Sequence, residues 1–204
     1  MNIIVIGGGA AGLMAAGTAA EQGANVTLFE TNEKVGRKLF ITGKGRCNVC
    51  NDCGAQDVLR NVPVNPRFLY SALGAFSPAD VKAFFEEKGV ALKTERGNRV
   101  FPVSDRASDI IDALFLWVRR TGVSIVHASV SDLVMQDGRV TGVRAGKKTC
   151  LADRVIVATG GASYPQTGST GDGYRFAREA GHTVAPANPS LVPLVVPDGC
   201  EELM

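Results

Sequence analysis

Gly7, Gly9 and Gly12 stand in GxGxxG spacing directly after the apolar run Ile3 to Ile6, and Glu30 closes a second apolar stretch. Those residue types at those intervals suit the binding of a dinucleotide diphosphate. The first glycine permits a tight turn, the second lets backbone approach a pyrophosphate, and the third lets a helix pack closely on a strand. Ala10 and Ala11 begin a run of good helix formers to Glu21, whose leading amides would face the phosphates, and Gly23 stops it. Asn25 to Glu30 reads as the second strand, ending in a carboxylate that can accept hydrogen bonds from ribose hydroxyls. A carboxylate there repels a 2′-phosphate, so NADP is disfavoured in this slot relative to FAD or NAD. The glycines alone do not separate those two.

Other reactive groups are fewer. Cys47, Cys50 and Cys53 have CxxCxxC spacing, which can ligate zinc or an iron–sulfur cluster. No fourth cysteine is near and the first histidine is His127, so the reading is three reduced thiols and no metal. Five cysteines without an export signal argue against a disulfide framework. Gly168 to Gly173 forms a second glycine-rich loop whose amides could stabilise an anion, with Asp172 expected to cap the helix behind it. His127 in a strand and His182 at a helix end read as structural.

The elements that must position these groups follow from composition and period. The chain has 204 residues, 45% hydrophobic and 21% charged, enough for a good core. A net charge of +2 gives no global attraction to nucleic acid or membrane. Residues 3–20 are apolar but lack a basic leader and are broken by glycines, so a soluble, cytoplasmic protein is expected. Residues 31–65 read as a long polar loop, and long loops inside compact domains tend to be functional. A helical excursion spans 66–121, with Ser77 capping a helix at Pro78 and a hairpin turning at Arg96-Gly97-Asn98. Ser104 or Asp105 is expected to cap a helix whose Ile110, Ile111, Leu114, Trp117 and Val118 share one face. Residues 123–151 alternate with period two and read as a β-meander turning at Asp137-Gly138. Asp153 to Ala158 then reads as a buried strand leading into Thr159-Gly160-Gly161. An NAD dehydrogenase domain would continue with alternating strands and helices; a meander before a returning strand is more typical of flavoproteins with two dinucleotide-binding domains.

Three separated segments make the comparison specific. Gly36-Arg37-Lys38-Leu39-Phe40-Ile41-Thr42-Gly43-Lys44-Gly45-Arg46-Cys47-Asn48, Arg99-Val100-Phe101-Pro102-Val103-Ser104-Asp105, and Gly160 to Pro165 through Gly168 to Gly173 closely resemble the BaiN-like, aminoacetone-oxidase-type FAD-dependent oxidoreductases. The resemblance spans nearly the whole chain. It implies an α/β fold: a Rossmann-like FAD-binding domain of the glutathione-reductase type, a three-layer ββα arrangement with an inserted β-meander and a small helical excursion, over residues 1–190. It implies further that Gly7, Gly9, Ala11 and Gly12 hold the pyrophosphate, with Ala10 beside them, and that Glu30 with Thr31 takes the adenosine ribose. Arg37, Lys38, Thr42, Gly43, Gly45, Arg46, Cys47 and Asn48 would line the flavin side and Val130 would lie beside the adenine. Ala158, Thr159, Gly160 and Gly161 would close over the cofactor. Lys34, Arg37, Lys38, Lys44 and Arg46, with no acid between 34 and 46, suit a dianionic pyrophosphate or the N1–C2 edge of reduced flavin; the alternative is a solvated basic loop.

The implied function is flavin-mediated hydride transfer between NAD(P)H and an unsaturated or amino-ketone small-molecule substrate. No catalytic residue is assigned, although Tyr164 and Cys47 are candidate proton donors. Substrates attributed across such families include steroid enones, aminoketones and uracil in RNA, which leaves nucleic acid open as a partner. Family members carry a substrate domain and a closing glycine-rich segment, and residues 191–204 read as the start of a truncated substrate domain. The alternative is therefore a catalytically incomplete nucleotide-binding fragment.

Overall fold

The apolar run Ile3 to Ile6 and the stretch Asn25 to Glu30 form neighbouring parallel strands. In a computed structural model, which describes residues 1–187, β1 (Asn2–Ile6) leads into α1 (Ala10–Glu21) and β2 (Asn25–Glu30). The segment after β2 holds α2 (Arg37–Ile41), a 3-10 turn at Thr42–Gly45, β3 (Cys50–Asn51) and α3 (Ala55–Arg60). The expected long loop thus contains short elements whose lengths are too small to carry a period. A further 3-10 turn, Pro66–Leu69, precedes α4 (Tyr70–Ala75) and α5 (Pro78–Glu87). Then come β4 (Leu92–Glu95), β5 (Arg99–Pro102) and α6 (Ala107–Arg120). The remaining strands are β6 (Ser124–His127), β7 (Val130–Gln136), β8 (Arg139–Ala145), β9 (Lys148–Leu151) and β10 (Arg154–Val157), before α7 (Asp172–Glu179).

Four strands form a wholly parallel sheet in the order β10-β1-β2-β6. Side chains alternate across it. Val5 and Leu28 face α1 and α6, where Leu13, Ala16, Ile110, Leu114, Trp117 and Val118 complete one core. Ile4, Ile6 and Phe29 face the opposite way and meet Val130, Val143 and Phe176 in a second core. Leu13, Leu28 and Val5 are fully buried, and each such side chain contributes roughly 1.5–3 kcal/mol. The layers are therefore helices, parallel sheet and the antiparallel β7-β8-β9 meander, the three-layer arrangement of a Rossmann-type FAD-binding domain. Indole Nε1 of Trp117 donates to Glu21 at 2.6 Å, tying α6 to α1. A third sheet, β3-β5-β4, is antiparallel and stands apart in sequence from both.

Three expectations need correcting. The run Val123 to Val126 does not open the meander: β6 joins the parallel sheet, pairing Phe29 with Val126 and Glu30 with His127. Its alternation looks the same in either sheet, and only the packing of α6 returns it beside β2. The α6 N-cap is Arg106, not Ser104 or Asp105, and no side chain caps it; Ser104 Oγ donates to Asp109. Asp172 is the first residue of α7, and Gly171 in the left-handed region is its N-cap. By contrast, Ser77 and Asp80 form a full capping box on α5. The 191–204 segment, expected to begin a substrate domain, lies outside the described residues. Among the described residues no helix is long and apolar enough to cross a membrane.

Candidate functional site

The carboxyl ends of β1, β2 and β10 converge on the glycine turn. Gly7 N donates to the Phe29 carbonyl at 2.8 Å and Ala158 N to the Ile6 carbonyl at 2.8 Å, locking the turn between its neighbours. A Cβ on Gly12 would sit 1.7 Å from the Gly7 carbonyl oxygen, and one on Gly7 would sit 2.5 Å from the Ala158 oxygen. Both positions exclude a side chain because protein backbone fills the space. Gly9 differs: nothing lies within 4 Å of a Cβ there. The second glycine of the motif is thus the one whose neighbouring space is free for another molecule.

Glu30 ends β2 almost wholly buried, and its Oε2 accepts from Gly8 N at 2.7 Å. A cleft of about 50 Å³ beside it brings together Gly7, Thr31, Val130, Thr159, Gly168 and Asp172. Four of these were expected from the sequence; Gly168 and Asp172 show that the second glycine-rich loop joins the same place. Thr159 Oγ1 is buried there with no hydrogen-bond partner among the described residues. A buried hydroxyl without a partner is costly unless a ligand or water completes it. The Glu30 carboxylate is an acceptor that a ribose hydroxyl could reach as donor, and the open side of Gly9 leaves room for a diphosphate, so the residues present fit the adenosine diphosphate half of FAD. Val130 is buried at the start of β7, and Ala158 to Gly161 follow β10 directly. Ala10 and Ala11 open α1, whose N-terminus follows the turn.

The basic loop is distributed among different partners. Arg37 donates to the Asn32 side-chain oxygen at 2.9 Å, and Lys38 Nζ to the Ser163 carbonyl at 2.8 Å. Arg37 also borders, with Lys34, Phe40 and Phe115, a groove of about 930 Å³ between this segment and α6. Arg46 stacks over the Phe101 ring at 3.9 Å and bonds both Glu95 and Asp105, at 2.9 and 3.2 Å. Lys93 bonds Asp105 at 2.7 Å and Glu95 at 3.4 Å, closing a network of two cations and two carboxylates. The Arg46 hydrogen bond holds Glu95 below the usual carboxylate range, and the Lys93 hydrogen bond does the same for Asp105. Sequence reading did not find these partners of Arg46; the motif Arg99 to Asp105 contained one of them, but nothing in spacing paired it with position 46.

Thr42, Gly43 and Gly45 form the 3-10 turn, and Gly43 and Lys44 both take left-handed backbone. Gly43 packs where a Cβ would meet Asn48 N and the Phe101 ring at 3.0 Å. Cys47 is buried; burial pushes its thiol up, with the Thr42 hydrogen bond opposing. Cys50 is raised in the same way, with Lys82 opposing. Neither environment favours a thiolate. No group of three metal-ligating side chains gathers among the described residues. Tyr164 is well exposed, and His127 Nδ1 lies 2.8 Å from the Asn32 carbonyl oxygen. Asn32 itself, absent from the expected set, contacts Glu30, Thr167 and Arg37.

Comparison with known proteins agrees with this geometry. Residues 1–189 match the family described as HI0933-like protein Rossmann domain. The chain belongs to that family. It is 37% identical over 199 residues to the 3-dehydro-bile acid delta(4,6)-reductase of Clostridium scindens, covering 96% of this chain and 48% of that protein. It is 33% identical to the ribosomal RNA dihydrouridine synthase of Haemophilus influenzae, covering 93% and 48%. The chain therefore spans about half the length of the curated relatives it matches. In fold it is similar to Mycobacterium smegmatis Sdh1 (TM-score 0.63, 22% identity, 88% of this chain and 38% of that one). It is likewise similar to Thermovibrio ammonificans THI4 (TM-score 0.56, 17% identity, 89% and 63%).

Proposed function

We propose that this chain binds FAD at the carboxyl ends of β1, β2 and β10 and serves an oxidoreductase that takes hydride from NAD(P)H and saturates a conjugated carbon–carbon double bond. The observation carrying the reading is the free space at Gly9, one residue from the Gly8 amide that holds the buried strand-end carboxylate of Glu30. When bound, FAD supplies two-electron transfer through its isoalloxazine ring. The residues of this chain bind and orient. The α1 N-terminus offers amides and a positive dipole end to the diphosphate. Glu30 would accept from the ribose. Lys38 and Lys44 would supply positive charge to the flavin side, Lys38 from its place on the Ser163 carbonyl, while Arg46 holds the loop through Glu95 and Asp105.

The substrate reading rests on shared chemistry. The names of the relatives specify a delta(4,6)-reductase and ribosomal RNA dihydrouridine synthases. Both products follow from reducing a double bond conjugated to a carbonyl, and that bond is the substrate class proposed here. Reconstitution with FAD followed by absorbance spectroscopy tests the reading. A bound flavin spectrum, bleached anaerobically by NADH and restored by an enone or by uridine-containing RNA, is the expected result. Failure to take up FAD in excess overturns the binding reading; uptake without bleaching overturns the nicotinamide donor.

A further inference from the structure

Glu30 already has three N–H donors around its two oxygens. Among the described residues, Oε1 accepts from Asn32 N at 2.7 Å and from Asn32 Nδ2 at 2.6 Å, whereas Oε2 accepts only from Gly8 N at 2.7 Å. A carboxylate offers about four acceptor positions, two on each oxygen. Oε1 is therefore filled by a single neighbouring residue, and Oε2 has one place left. The orientation of the Asn32 amide follows from its surroundings: its nitrogen faces a carboxylate and the Thr167 carbonyl at 3.3 Å, its oxygen the Arg37 guanidinium at 2.9 Å. The backbone carbonyl of Asn32 meets His127 at the end of β6, so the residue is held from both sides.

We infer that Asn32 is a specificity-determining residue of the adenosine-ribose end: by occupying Oε1 it leaves Glu30 able to accept one ribose hydroxyl, not two. This rests on the FAD reading above. The consequence is asymmetric recognition of a vicinal diol. One hydroxyl bonds Oε2 and contributes to affinity; the other is not read by Glu30. Removing the Asn32 side chain frees one place on Oε1 while keeping the backbone donor, and the second hydroxyl then counts as well.

Isothermal titration of the whole chain with ADP, 2′-deoxy-ADP and 3′-deoxy-ADP tests this, with FAD titrated in parallel. In the unaltered protein one deoxy analogue is expected to bind roughly ten- to a hundred-fold more weakly than ADP, the loss of one hydrogen bond to a charged group, and the other about equally with ADP. In N32A both analogues are expected to be weakened. N32G is the second variant, and a thermal melt of each confirms folding. A purely structural role for Asn32 would lower affinity for all three nucleotides together without changing their ratios. Equal weakening of both analogues in the unaltered protein, or unchanged ratios in both variants, overturns the inference while leaving the FAD reading intact. If the unaltered protein binds neither ADP nor FAD, the site reading fails and the inference fails with it.

Discussion

The turn at Gly7 to Gly12 and the loop at Thr42 to Asn48 are both assigned to the cofactor, yet different forces hold them. The turn is fixed by backbone packing: β1 lies between β2 and β10, and Gly12 touches the Gly7 carbonyl with no room for a methyl group. The loop adds side-chain charge to packing: Cys47 is buried and Gly43 abuts the Phe101 ring, and Arg46 is clamped between Phe101, Glu95 and Asp105 on partly exposed positions. Packing of that kind is insensitive to pH and salt, whereas exposed ion pairs are screened by salt and contribute little each. The turn is thus rigid by construction, whereas the charged part of the loop's hold is adjustable by solution conditions.

The largest effect that could break this contrast is at the turn. G12A would force the Gly7 carbonyl aside, and overpacking against backbone costs roughly 3 kcal/mol or more, read as a lower urea midpoint with loss of FAD uptake. G9A sharpens the comparison, because its Cβ meets no protein atom and Gly9 has φ −78°, which alanine adopts freely. Its unfolding free energy is expected to stay within about 0.5 kcal/mol of the unaltered protein while FAD affinity falls at least tenfold. Equal losses in both quantities would remove the distinction between the glycines.

The loop should respond to conditions instead. Glu95 and Asp105 are held below their ordinary values of 4.5 and 3.8, so their contribution is complete above those values and is lost as pH falls below them. Tryptic cleavage after Lys44 or Arg46 reads the loop directly. E95Q combined with D105N is expected to speed that cleavage at neutral pH with little change in unfolding midpoint, and high salt should do the same to the unaltered protein. A loop equally protected in all three cases would show that charge does not hold it. The smallest effect is a control: S77A removes one half of the capping box on α5, costing about 1 kcal/mol of stability and leaving FAD affinity unchanged.

How far the sequence reached depends on the range of the interactions involved. The βαβ opening, the hairpin at Arg96 to Asn98, the Ser77 cap and the meander turn at Asp137-Gly138 were legible because each depends on residues close in sequence. The strand β6 was assigned to the wrong sheet because alternation reports that one face is buried and not which partner buries it. Arg46 carried its charge visibly, but Glu95 and Asp105 lie 49 and 59 positions away. Asn32 stood two residues past the acid that was singled out, and its contact with Thr167 spans 135 positions.

Local sequence by itself determined the chemistry available: a glycine turn open to a phosphate, an acid at a strand end, and a helix beginning where its dipole is useful. Those follow from backbone sterics and short-range hydrogen bonding, which act within a few residues. Only the tertiary structure decided which groups remain free for a ligand. Folding brings distant donors and acceptors together, filling one oxygen of Glu30, occupying the guanidinium of Arg46 and leaving the hydroxyl of Thr159 without a partner among the described residues.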